Sequence, residues 1–358
     1  MDGKLLFITP LFPSSKDEDT IVPFIFQFTE QFSQKYPSIE IHILAINYPL
    51  EKGIYMINNS TIYAMGGGFN KGLFSFVRFF KSLRKALSLY KKHRYTGVLS
   101  FWYGTSAIIG NILKSRFKVT HKTWLQGQDV KRNNWYLKWL APKGENLITI
   151  SKNQQRLLFE NHRIHTNHIA NVCVDENDFP ELNKESRTID IIGVGNLGPI
   201  KNYSKFIDVI SQVHKKIPEL KVVICGDGEE KEELQKKINT LSLHNTIELL
   251  GYVSNRKVKE LLNTTSVFLH TSIFEGNPMV LQEALFSGCN VVSTFNIEEE
   301  SNAIQHFYCA NETAALSEKT IELLTNPLVT TSRVHHFKME DTIKTIHALL
   351  SDNTLKAS

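Results

Sequence analysis

Short apolar runs alternate with amphipathic segments along most of this chain. In its first part, β-branched and aromatic residues dominate the runs, and the segments between them carry apolar residues at helical spacing. The runs predict buried strands at 5–9, 39–46, 97–102, 119–125 and 147–150, with helices over 22–35, 106–114 and 152–161. Strands this apolar, separated by helices, favour a parallel sheet that is covered on both faces. Ligands of such sheets bind beyond the carboxyl ends of the strands.

The same alternation restarts after a polar stretch, Phe179–Arg187, which contains a proline and has no periodicity. Further strands are predicted at 189–194, 222–225, 247–250, 267–270, 291–294 and 307–310, with helices over 203–216, 312–325 and 339–350. A chain of 358 residues suits two domains. We therefore predict a linker in 179–187 between an N-terminal domain over 1–180 and a C-terminal domain over 188–335. The final helix, in 336–358, is then free to pack back on the N-terminal domain.

The segment after the predicted strand at 266–270 carries signals for both ends of a helix. Asn277 is a favourable N-cap, Pro278 stands at the first helical position, and Gly288 is placed to close the helix. The sequence therefore predicts a strand, a loop and a helix whose first N–H groups have no partner within the helix.

Two carboxylates frame the start of this helix. Glu275 lies in the loop and Glu283 inside the helix, while Gly276 lets a ligand approach the backbone. The N–H groups of Met279 and Val280 favour an anion such as a diphosphate, and a carboxylate is a good acceptor for the vicinal hydroxyls of a ribose. This pattern indicates a sugar nucleotide. Alternatively, Glu275 is a first-turn partner of the helix dipole and Glu283 is a solvated helix residue.

The stretch Glu275-Gly-Asn-Pro-Met-Val-Leu-Gln-Glu-Ala284 resembles the signature of retaining glycosyltransferases of the GT-B fold, in the large family called group 1 or family 4. Three further segments stand in the family's order, namely Ile-Gly-Val-Gly-Asn-Leu-Gly-Pro-Ile-Lys-Asn at 192–202, Val-Val-Ile-Cys-Gly-Asp-Gly at 222–228 and Leu-Leu-Gly-Tyr-Val at 249–253. The resemblance implies an α/β fold of two Rossmann-like domains that face each other across a cleft. It also implies an enzyme, a glycosyltransferase of the hexosyltransferase type that retains the anomeric configuration.

The family's pattern assigns roles to the residues of this signature. By that resemblance, Glu275 contacts the donor sugar and Glu283 binds the ribose. The backbone that holds the donor diphosphate belongs to Gly276, Asn277, Met279 and Val280.

A glycine-containing loop follows the first predicted strand of the second half. Gly195 and Gly198 let this loop approach a phosphate, and Lys201 adds a positive charge. Asn196 stands where the family usually has an Arg, so the diphosphate is held by Lys201 and the helix amides, or by a cation from elsewhere. Because no Asp-x-Asp motif stands in the donor loops, we expect no cofactor and no required metal. Lys201 and Glu275 are the predicted catalytic residues; the alternative for Lys201 is an ordinary solvated loop residue.

Three residues of the first half are candidates for the acceptor side. Trp102 ends a predicted strand and could stack on a sugar ring or a lipid headgroup, or belong to an aromatic cluster at the edge of the core. Gln126 stands where the family commonly has a His beside the reacting sugar, so that position carries no imidazole. Asp129 matches the family's pattern two residues after Gly127.

The segment Lys71–Arg94 contains many basic residues and no acidic one. As a helix it would gather Leu73, Phe76, Phe80, Leu83, Leu87 and Tyr90 on one face and Arg78, Lys81, Lys85 and Lys92 on another. The apolar face could cover the sheet, and the basic side, with Phe74, could rest on an anionic membrane surface. The basic and aromatic stretch Lys131–Trp139 would extend such a surface. We expect no nucleic acid partner because no binding motif accompanies the charge.

The composition is that of a globular chain, with 42% hydrophobic and 22% charged residues and a modest formal charge of +5. Four cysteines without a Cys-x-x-Cys pair favour reduced thiols and a cytoplasmic location. The N-terminal apolar run is too short for a signal peptide and is interrupted by Pro10. No stretch approaches the roughly 20 apolar residues that span a bilayer.

We therefore expect an enzyme that moves a sugar from a nucleotide-sugar donor to a glycan or lipid-linked acceptor. The basic, aromatic surface fits the assembly of cell-surface polysaccharide or lipopolysaccharide, with the protein peripheral on the inner face of the plasma membrane; a soluble acceptor is the alternative. Two other functions fit the same sequence. One is a nucleotide-sugar epimerase of the same architecture. The other is a glycosyltransferase-like partner subunit that binds substrate without catalysing transfer, which the residues at Asn196 and Gln126 suggest.

Overall fold

The computed structural model describes residues 3–16, 18, 21–68, 72–182, 187–275, 278–297, 305–328, 333–334 and 337–351. The chain divides into two compact units, an N-terminal unit of Met1–Val172 with Met339–Ser358 and a C-terminal unit of Cys173–Lys338. Each unit is built on a largely parallel sheet with helices between its strands. The α/β architecture predicted from the alternating pattern is confirmed.

In the described part of the chain, the N-terminal unit has a seven-stranded sheet. Its strands are β1 (Gly3–Leu11), β2 (Ile39–Tyr48), β3 (Gly53–Ile57), β4 (Ser60–Ala64), β5 (Gly97–Phe101), β6 (Thr120–Trp124) and β7 (Leu147–Ile148), in the spatial order β3-β4-β2-β1-β5-β6-β7. The pairings are parallel except that β3 and β4 form an antiparallel hairpin at one edge. The sequence patterns above did not predict this hairpin, whose turn contains Asn58 at a positive φ of 52°.

The helices of the N-terminal unit are α1 (Pro23–Lys35), α2 (Leu73–His93), α3 (Thr105–Phe117), α4 (Trp135–Leu140), α5 (Lys152–His162) and α11 (Met339–Ser351). The last helix, α11, buries Met339, Ile343, Ile346 and Leu350 and packs against α1, β5 and β6. The Thr342 hydroxyl donates to the Asn171 carbonyl at 2.8 Å. The C-terminal helix is therefore part of the N-terminal unit.

The apolar face of α2 is the predicted one only in part, because Tyr90 is buried and Leu83 and Leu87 pack against the core. The helix buries Ser82, Ala86 and Leu89 against the N-terminal core, whereas Phe76 and Phe80 are exposed. Two small side chains let the middle of the helix lie close to the sheet. All four described positions of its first turn, 74–77, are exposed, so the aromatic residues there are left in solvent.

In the described residues, the C-terminal unit has a six-stranded sheet of order β10-β9-β8-β11-β12-β13. The strands are β8 (Ile189–Val194), β9 (Val222–Cys225), β10 (Ile247–Gly251), β11 (Thr265–His270), β12 (Asn290–Ser293) and β13 (Phe307–Cys309), and all pairs between them are parallel. The helices are α6 (Tyr203–His214), α7 (Lys231–Thr240), α8 (Asn255–Asn263), α9 (Met279–Phe286) and α10 (Thr313–Thr325).

Helices cover both faces of this second sheet, as the apolar strands predict. Ile191 points to a cluster formed with α6, α7 and α10, and its neighbour Ile192 points to a cluster formed with α8 and α9. Successive residues of a strand face opposite sides, so a strand that is apolar at every position is buried on both.

The boundary between the units lies at Val172/Cys173, ahead of the polar stretch 179–187 in which the linker was predicted. The first residue of that stretch and the residue before it already pack on other parts of the C-terminal unit. The Phe179 ring lies 4.7 Å from the Phe286 ring, centroid to centroid, and Asp178 pairs with Lys259 at 3.0 Å. Residues 183–186 of the stretch lie outside the described residues.

Candidate functional site

Two loops cross closely at the carboxyl ends of β8 and β9. Gly195 donates to the Cys225 carbonyl and Leu197 donates to the Asp227 carbonyl, both at 2.9 Å. A Cβ atom on Gly226 would lie 1.8 Å from the Gly195 oxygen, and Gly226 has a φ of +153°. Only glycine fits this position, because a side chain would push the two loops apart.

The crossing loops line a cavity of about 570 Å³ within the C-terminal unit. Its wall is formed by Val194–Asn196, Cys225–Gly228, Tyr252, Val253 and Val258. Burial raises the pKa of the Cys225 thiol to about 12, so this wall carries a neutral sulfur. A cavity of this size at the carboxyl ends of parallel strands suits a small-molecule ligand. The sequence patterns predicted Gly195 and Asn196 in such a site and missed Cys225 and Val258.

Asn196 is engaged within the loops. Its amide nitrogen donates to the Asp227 carbonyl at 3.1 Å. At the position where the family usually has an Arg, this chain therefore has a neutral side chain that ties the two loops together.

Lys201 and Glu275 form an ion pair although 74 positions separate them along the chain. The lysine Nζ lies 2.6 Å from the Glu275 Oε1, and both side chains are largely buried. The loops after β8 and β11 hold the pair in place, because Ile273 donates to the Ile200 carbonyl at 2.8 Å and the Thr271 hydroxyl donates to the Lys201 carbonyl at 3.1 Å. The two residues that the sequence predicts as catalytic are thus brought together.

His270 extends this ion pair into the sheet. Its Nε2 lies 3.2 Å from the Glu275 Oε1, and its Nδ1 lies 3.0 Å from the Ser293 hydroxyl at the end of β12. Burial lowers the pKa of His270 against the opposing effect of Glu275, so the ring is neutral. A neutral ring that donates from Nε2 to a carboxylate must accept at Nδ1, where it competes with the Phe295 carbonyl, 2.8 Å from the Ser293 Oγ, for the single proton of the Ser293 hydroxyl. The sequence patterns recognised His270 only as the end of an apolar strand.

The Glu275 carboxyl is ionised over the whole physiological range. Burial raises its pKa, but the hydrogen bond from His270 and the charge of Lys201 outweigh this effect and lower the pKa to about 2. Among the described residues, both neighbours contact Oε1 and none donates to Oε2. Glu275 is therefore suited to accept hydrogen bonds from hydroxyl groups through Oε2 and unsuited to donate a proton.

The helix after Glu275 begins one residue later than the sequence predicts. α9 starts at Met279, and Pro278, with φ −73° and ψ 106°, is its N-cap rather than its first helical residue. The ψ of Pro278 is extended, so helical geometry begins only after it. Gly276 and Asn277, including the predicted N-cap side chain, lie outside the described residues. Met279 and Val280 form the first two positions of the helix and are half-buried.

The other end of α9 is as predicted. Gly288 has a φ of +79° and donates to the Leu285 carbonyl, while Cys289 donates to the Ala284 carbonyl, both at 2.9 Å. These two bonds form a Schellman motif, in which glycine takes the left-handed position without steric cost.

Glu283 lies on α9 near a second ion pair. Its side chain is half-buried, and burial raises its pKa, against the opposing charge of Lys259 and together with that of Asp178. The Lys259 Nζ, which is itself buried, contacts Asp178 at 3.0 Å. The structure thus places Glu283 beside α8 and does not bring it into contact with Lys201 or Glu275 among the described residues.

In the N-terminal unit, the three predicted acceptor-side residues lie at the carboxyl ends of β5 and β6. The buried Asp129 Oδ2 accepts from the backbone N–H of Tyr103 at 3.0 Å and of Gln126 at 2.8 Å. Burial raises the pKa of Asp129 to about 7, against the effect of these two bonds. Trp102, at a φ of +60°, donates its N–H to the Trp124 carbonyl at 3.2 Å. Asp129 therefore ties the two strand ends together.

Residues 174–339 match the family model described as "Glycosyl transferases group 1". The match supports a group 1 glycosyltransferase. It covers the C-terminal unit almost completely, including the crossing loops, the Lys201–Glu275 pair and α9. No helix among the described residues is long and apolar enough to cross a membrane.

Similar curated proteins are also named as glycosyltransferases. The chain is 26% identical over 155 residues to the 2-deoxystreptamine N-acetyl-D-glucosaminyltransferase of Niallia circulans, covering 42% of this chain and 40% of that protein. It is 38% identical over 94 residues to the amylovoran biosynthesis glycosyltransferase AmsD of Erwinia amylovora, covering 26% of each. The chain thus spans less than half the length of these relatives. The matches support an enzyme of the transferase class.

Solved glycosyltransferase structures share the fold over nearly the whole chain. A Staphylococcus aureus TarM mutant in complex with fondaparinux, α-GlcNAc-glycerol and UDP gives a TM-score of 0.70 at 11% identity, covering 98% of this chain and all of that one. The structure of Anabaena HepE in complex with UDP and glucose gives a TM-score of 0.63 at 15% identity. The similarity covers 98% of this chain and 100% of that one. The predicted fold class, two Rossmann-like regions of the GT-B type, is confirmed.

Proposed function

We propose that this chain is a retaining glycosyltransferase of family 4. It moves a sugar from a nucleotide-diphosphate donor to a glycan or lipid-linked acceptor in the synthesis of cell-surface polysaccharide or lipopolysaccharide. The observation that carries the proposal is the half-buried Lys201–Glu275 pair beside the crossing glycine loops. The names of relatives that act in amylovoran biosynthesis and as a poly(glycerol-phosphate) alpha-glucosyltransferase agree with it.

In this proposal Lys201 stabilises the leaving group. Transfer passes through an oxocarbenium-like state while negative charge grows on the diphosphate. Lys201 is a mobile cation whose present partner is Glu275, and it can turn toward a bound diphosphate. The N–H groups at the start of α9 add positive potential. No divalent metal is then needed.

Glu275 orients the donor sugar. Its Oε2 accepts hydrogen bonds from hydroxyl groups of the sugar, while the contact with His270 keeps Oε1 in position. An ionised carboxylate of this kind also favours the positive charge that develops at the anomeric carbon.

The nucleoside occupies the cavity of the C-terminal unit. Tyr252 lines this cavity, is exposed and offers a ring on which a base can stack. Glu283, on α9 and outside the lining of the cavity, accepts hydrogen bonds from the ribose hydroxyls.

The acceptor side of the proposal includes an anionic membrane surface. Phe74, Phe76 and Phe80 on α2 are 71%, 67% and 55% exposed, and Lys81 and Arg84 are exposed on the same helix. Aromatic rings among basic side chains suit the interface of an anionic bilayer. Lys85 contributes less to this membrane surface, because its Nζ packs over the Tyr63 ring, 4.5 Å from the ring centre. This arrangement fits a protein that is peripheral on the inner face of the plasma membrane.

Incubation of the full chain with radiolabelled UDP- and GDP-sugars tests the activity. We expect slow hydrolysis or transfer of at least one donor, with retained configuration in the product. Isomerisation of the donor without an acceptor would instead identify an epimerase. Binding of nucleotides without any turnover would identify a partner subunit.

Two substitutions test the assigned roles. Lys201→Ala should lower turnover by about 100-fold or more, because a charge that stabilises the leaving group acts only in the transition state. Glu283→Ala should weaken nucleotide binding by about 10-fold, measured by calorimetry. Lys216→Ala and Glu233→Ala, at exposed positions of the same unit, are the matched controls and should change neither quantity. Unchanged affinity of Glu283→Ala would contradict the ribose role.

Vesicle pelleting tests the membrane surface. The double change Lys81→Glu with Arg84→Glu should reduce co-sedimentation with vesicles of anionic lipid, because each basic residue near such a surface contributes about 1 kcal/mol. The change Lys215→Glu with Lys216→Glu alters the net charge equally on the C-terminal unit and is the control. Equal loss of pelleting in both variants would show a non-specific charge effect and contradict the assignment to α2.

A further inference from the structure

A cluster of metal-ligating side chains lies in the N-terminal unit, at the start of β2 and the end of α2. Among the described residues, Glu40, His42 and His93 offer one ligand atom each, and these atoms all lie within 4.8 Å of one another. The cluster is distinct from the donor loops, which belong to the C-terminal unit. We propose that Glu40, His42 and His93 form a Zn²⁺-binding site.

His42 has the environment of a metal ligand. Its ring is buried, its Nε2 lies 2.6 Å from the Glu40 Oε1, and its Nδ1 lies 2.6 Å from the Tyr95 hydroxyl. Ligating histidines usually bond through the second ring nitrogen to a neighbouring group that fixes the ring. The Tyr95 hydroxyl can both donate and accept, so it can hold the ring whether Nε2 carries a proton or a metal.

His93 supplies a nitrogen that the described fold leaves unsatisfied. Its Nε2 is buried and has no hydrogen-bond partner among the described residues. The His93 ring lies 4.4 Å from the His42 ring, centroid to centroid, at an interplanar angle of 88°. A buried nitrogen without a partner is unfavourable, and a metal ion would satisfy it. His93 is also the last residue of α2, where the negative end of the helix dipole favours a cation.

The charges of the cluster suit a divalent ion. Neutral imidazole and ionised carboxylate are the forms that bind metals, and the cluster joins two imidazoles with one carboxyl group. Lys4 contacts the Glu40 Oε2 at 2.5 Å and so leaves Oε1 directed at His42. Its positive charge opposes a bound ion, but the lysine is partly exposed and can turn toward solvent.

The donor set and its spacing favour zinc. Two imidazole nitrogens and one carboxylate oxygen form a common Zn²⁺ set, with a fourth position for water. Bonds of about 2.0–2.2 Å allow two ligands of one ion to lie at most about 4.4 Å apart. Binding therefore requires the half-buried His93 side chain to move closer, and the 2.6 Å hydrogen bond between His42 and Glu40 to be replaced by two metal bonds. Because Glu40 is the second residue of β2, the ion would lie at the amino end of that strand and tie it to α2.

Metal titration of the full chain, stripped with a chelator, tests the site. We expect Zn²⁺ to bind with a stoichiometry of one by calorimetry, to raise the melting temperature, and to displace Co²⁺ that shows the visible absorption of tetrahedral coordination. His93→Gln and Glu40→Gln should each weaken Zn²⁺ affinity by about 10-fold or more. His244→Gln, at an exposed lone histidine, is the matched control and should bind as the original chain does.

Three outcomes would overturn the proposal. One is the absence of stoichiometric Zn²⁺ binding by the original chain. Another is unchanged affinity in both His93→Gln and Glu40→Gln, which would place the ion elsewhere. The third is an equal loss in the His244→Gln control, which would indicate adventitious binding to surface histidines. Circular dichroism verifies that each variant is folded, and Glu40→Gln provides the test if His93→Gln does not fold.

Discussion

Asp129 shows how one buried carboxyl can organise two strand ends. A single oxygen, Oδ2, receives both backbone N–H groups, from Tyr103 and from Gln126. Burial raises the pKa of Asp129 to about 7, above its ordinary value of 3.8, despite these two bonds. The folded state therefore favours the neutral form. Protonated Asp129 therefore contributes to the free energy of unfolding. This contribution is fully present below about pH 4 and is lost as the pH rises through about 7.

Asp129→Asn should remove this pH dependence. An amide oxygen can accept both N–H groups and never ionises, so the variant should match the original chain near pH 4 and exceed its stability at pH 8 by about 1–3 kcal/mol. Denaturant unfolding followed by tryptophan fluorescence measures the effect. All four tryptophans, at 102, 124, 135 and 139, belong to the N-terminal unit.

Asp129→Ala is the contrasting variant. It leaves two buried N–H groups without an acceptor and should destabilise the N-terminal unit by about 2 kcal/mol or more at every pH. A pH dependence of Asp129→Asn identical to that of the original chain would show that another group titrates.

At the scale of elements, the close crossing of the loops after β8 and β9 depends on a glycine. Gly226→Ala should lower the stability of the C-terminal unit by about 1–3 kcal/mol, because the new Cβ meets the Gly195 oxygen at 1.8 Å in a strained backbone conformation. Hydrogen exchange of the peptide that covers β8 and its loop measures the local effect.

Gly53→Ala is the control for this substitution. An added Cβ at Gly53 meets nothing within 4 Å, and the residue is absent from the positive-φ glycines. Its replacement should change stability by less than about 0.5 kcal/mol. Equal protection of β8 in Gly226→Ala and the original chain would contradict the predicted steric clash.

The elements also show where a sequence pattern misleads. Helical periodicity predicts that α2 buries Phe76 and Phe80, yet both are exposed. The pattern identifies which residues share a face but not which part of the helix overlies the sheet. The start of α9 differs from the prediction for a similar reason. The ψ of Pro278 depends on the loop before it rather than on the preference of proline for the first helical position.

At the scale of the whole molecule, the C-terminal helix completes the N-terminal unit. Ile346→Ala removes a fully buried side chain of α11 and should destabilise that unit by about 2–5 kcal/mol, because it leaves a cavity. Tryptophan fluorescence during denaturant unfolding reports this loss. Lys344→Ala, at an exposed ion pair of the same helix, should change stability by less than about 0.5 kcal/mol. A shift of similar size in both variants would show that helix propensity, rather than burial, controls the effect.

The sequence by itself determined the alternation of strands and helices, the closure of α9 at Gly288, and the order of the donor motifs. These features depend on local periodicity and on backbone preferences, which are properties of neighbouring residues. The separation of the chain into two sheets also followed, because each half repeats the same local pattern. The hairpin of β3 and β4 was missed because β3, at the edge of the sheet, alternates exposed and half-buried positions and so lacks a buried apolar run.

Only the tertiary structure decided which distant side chains meet. The contact of Lys201 with Glu275, which His270 extends, and the group that His93 forms with Glu40 and His42 each join separate segments of the chain. Their protonation also depends on the fold, because the pKa of a buried group is set by the loss of water and by its new neighbours. Neither can be deduced from the preferences of single residues, since both arise only when separate segments pack together.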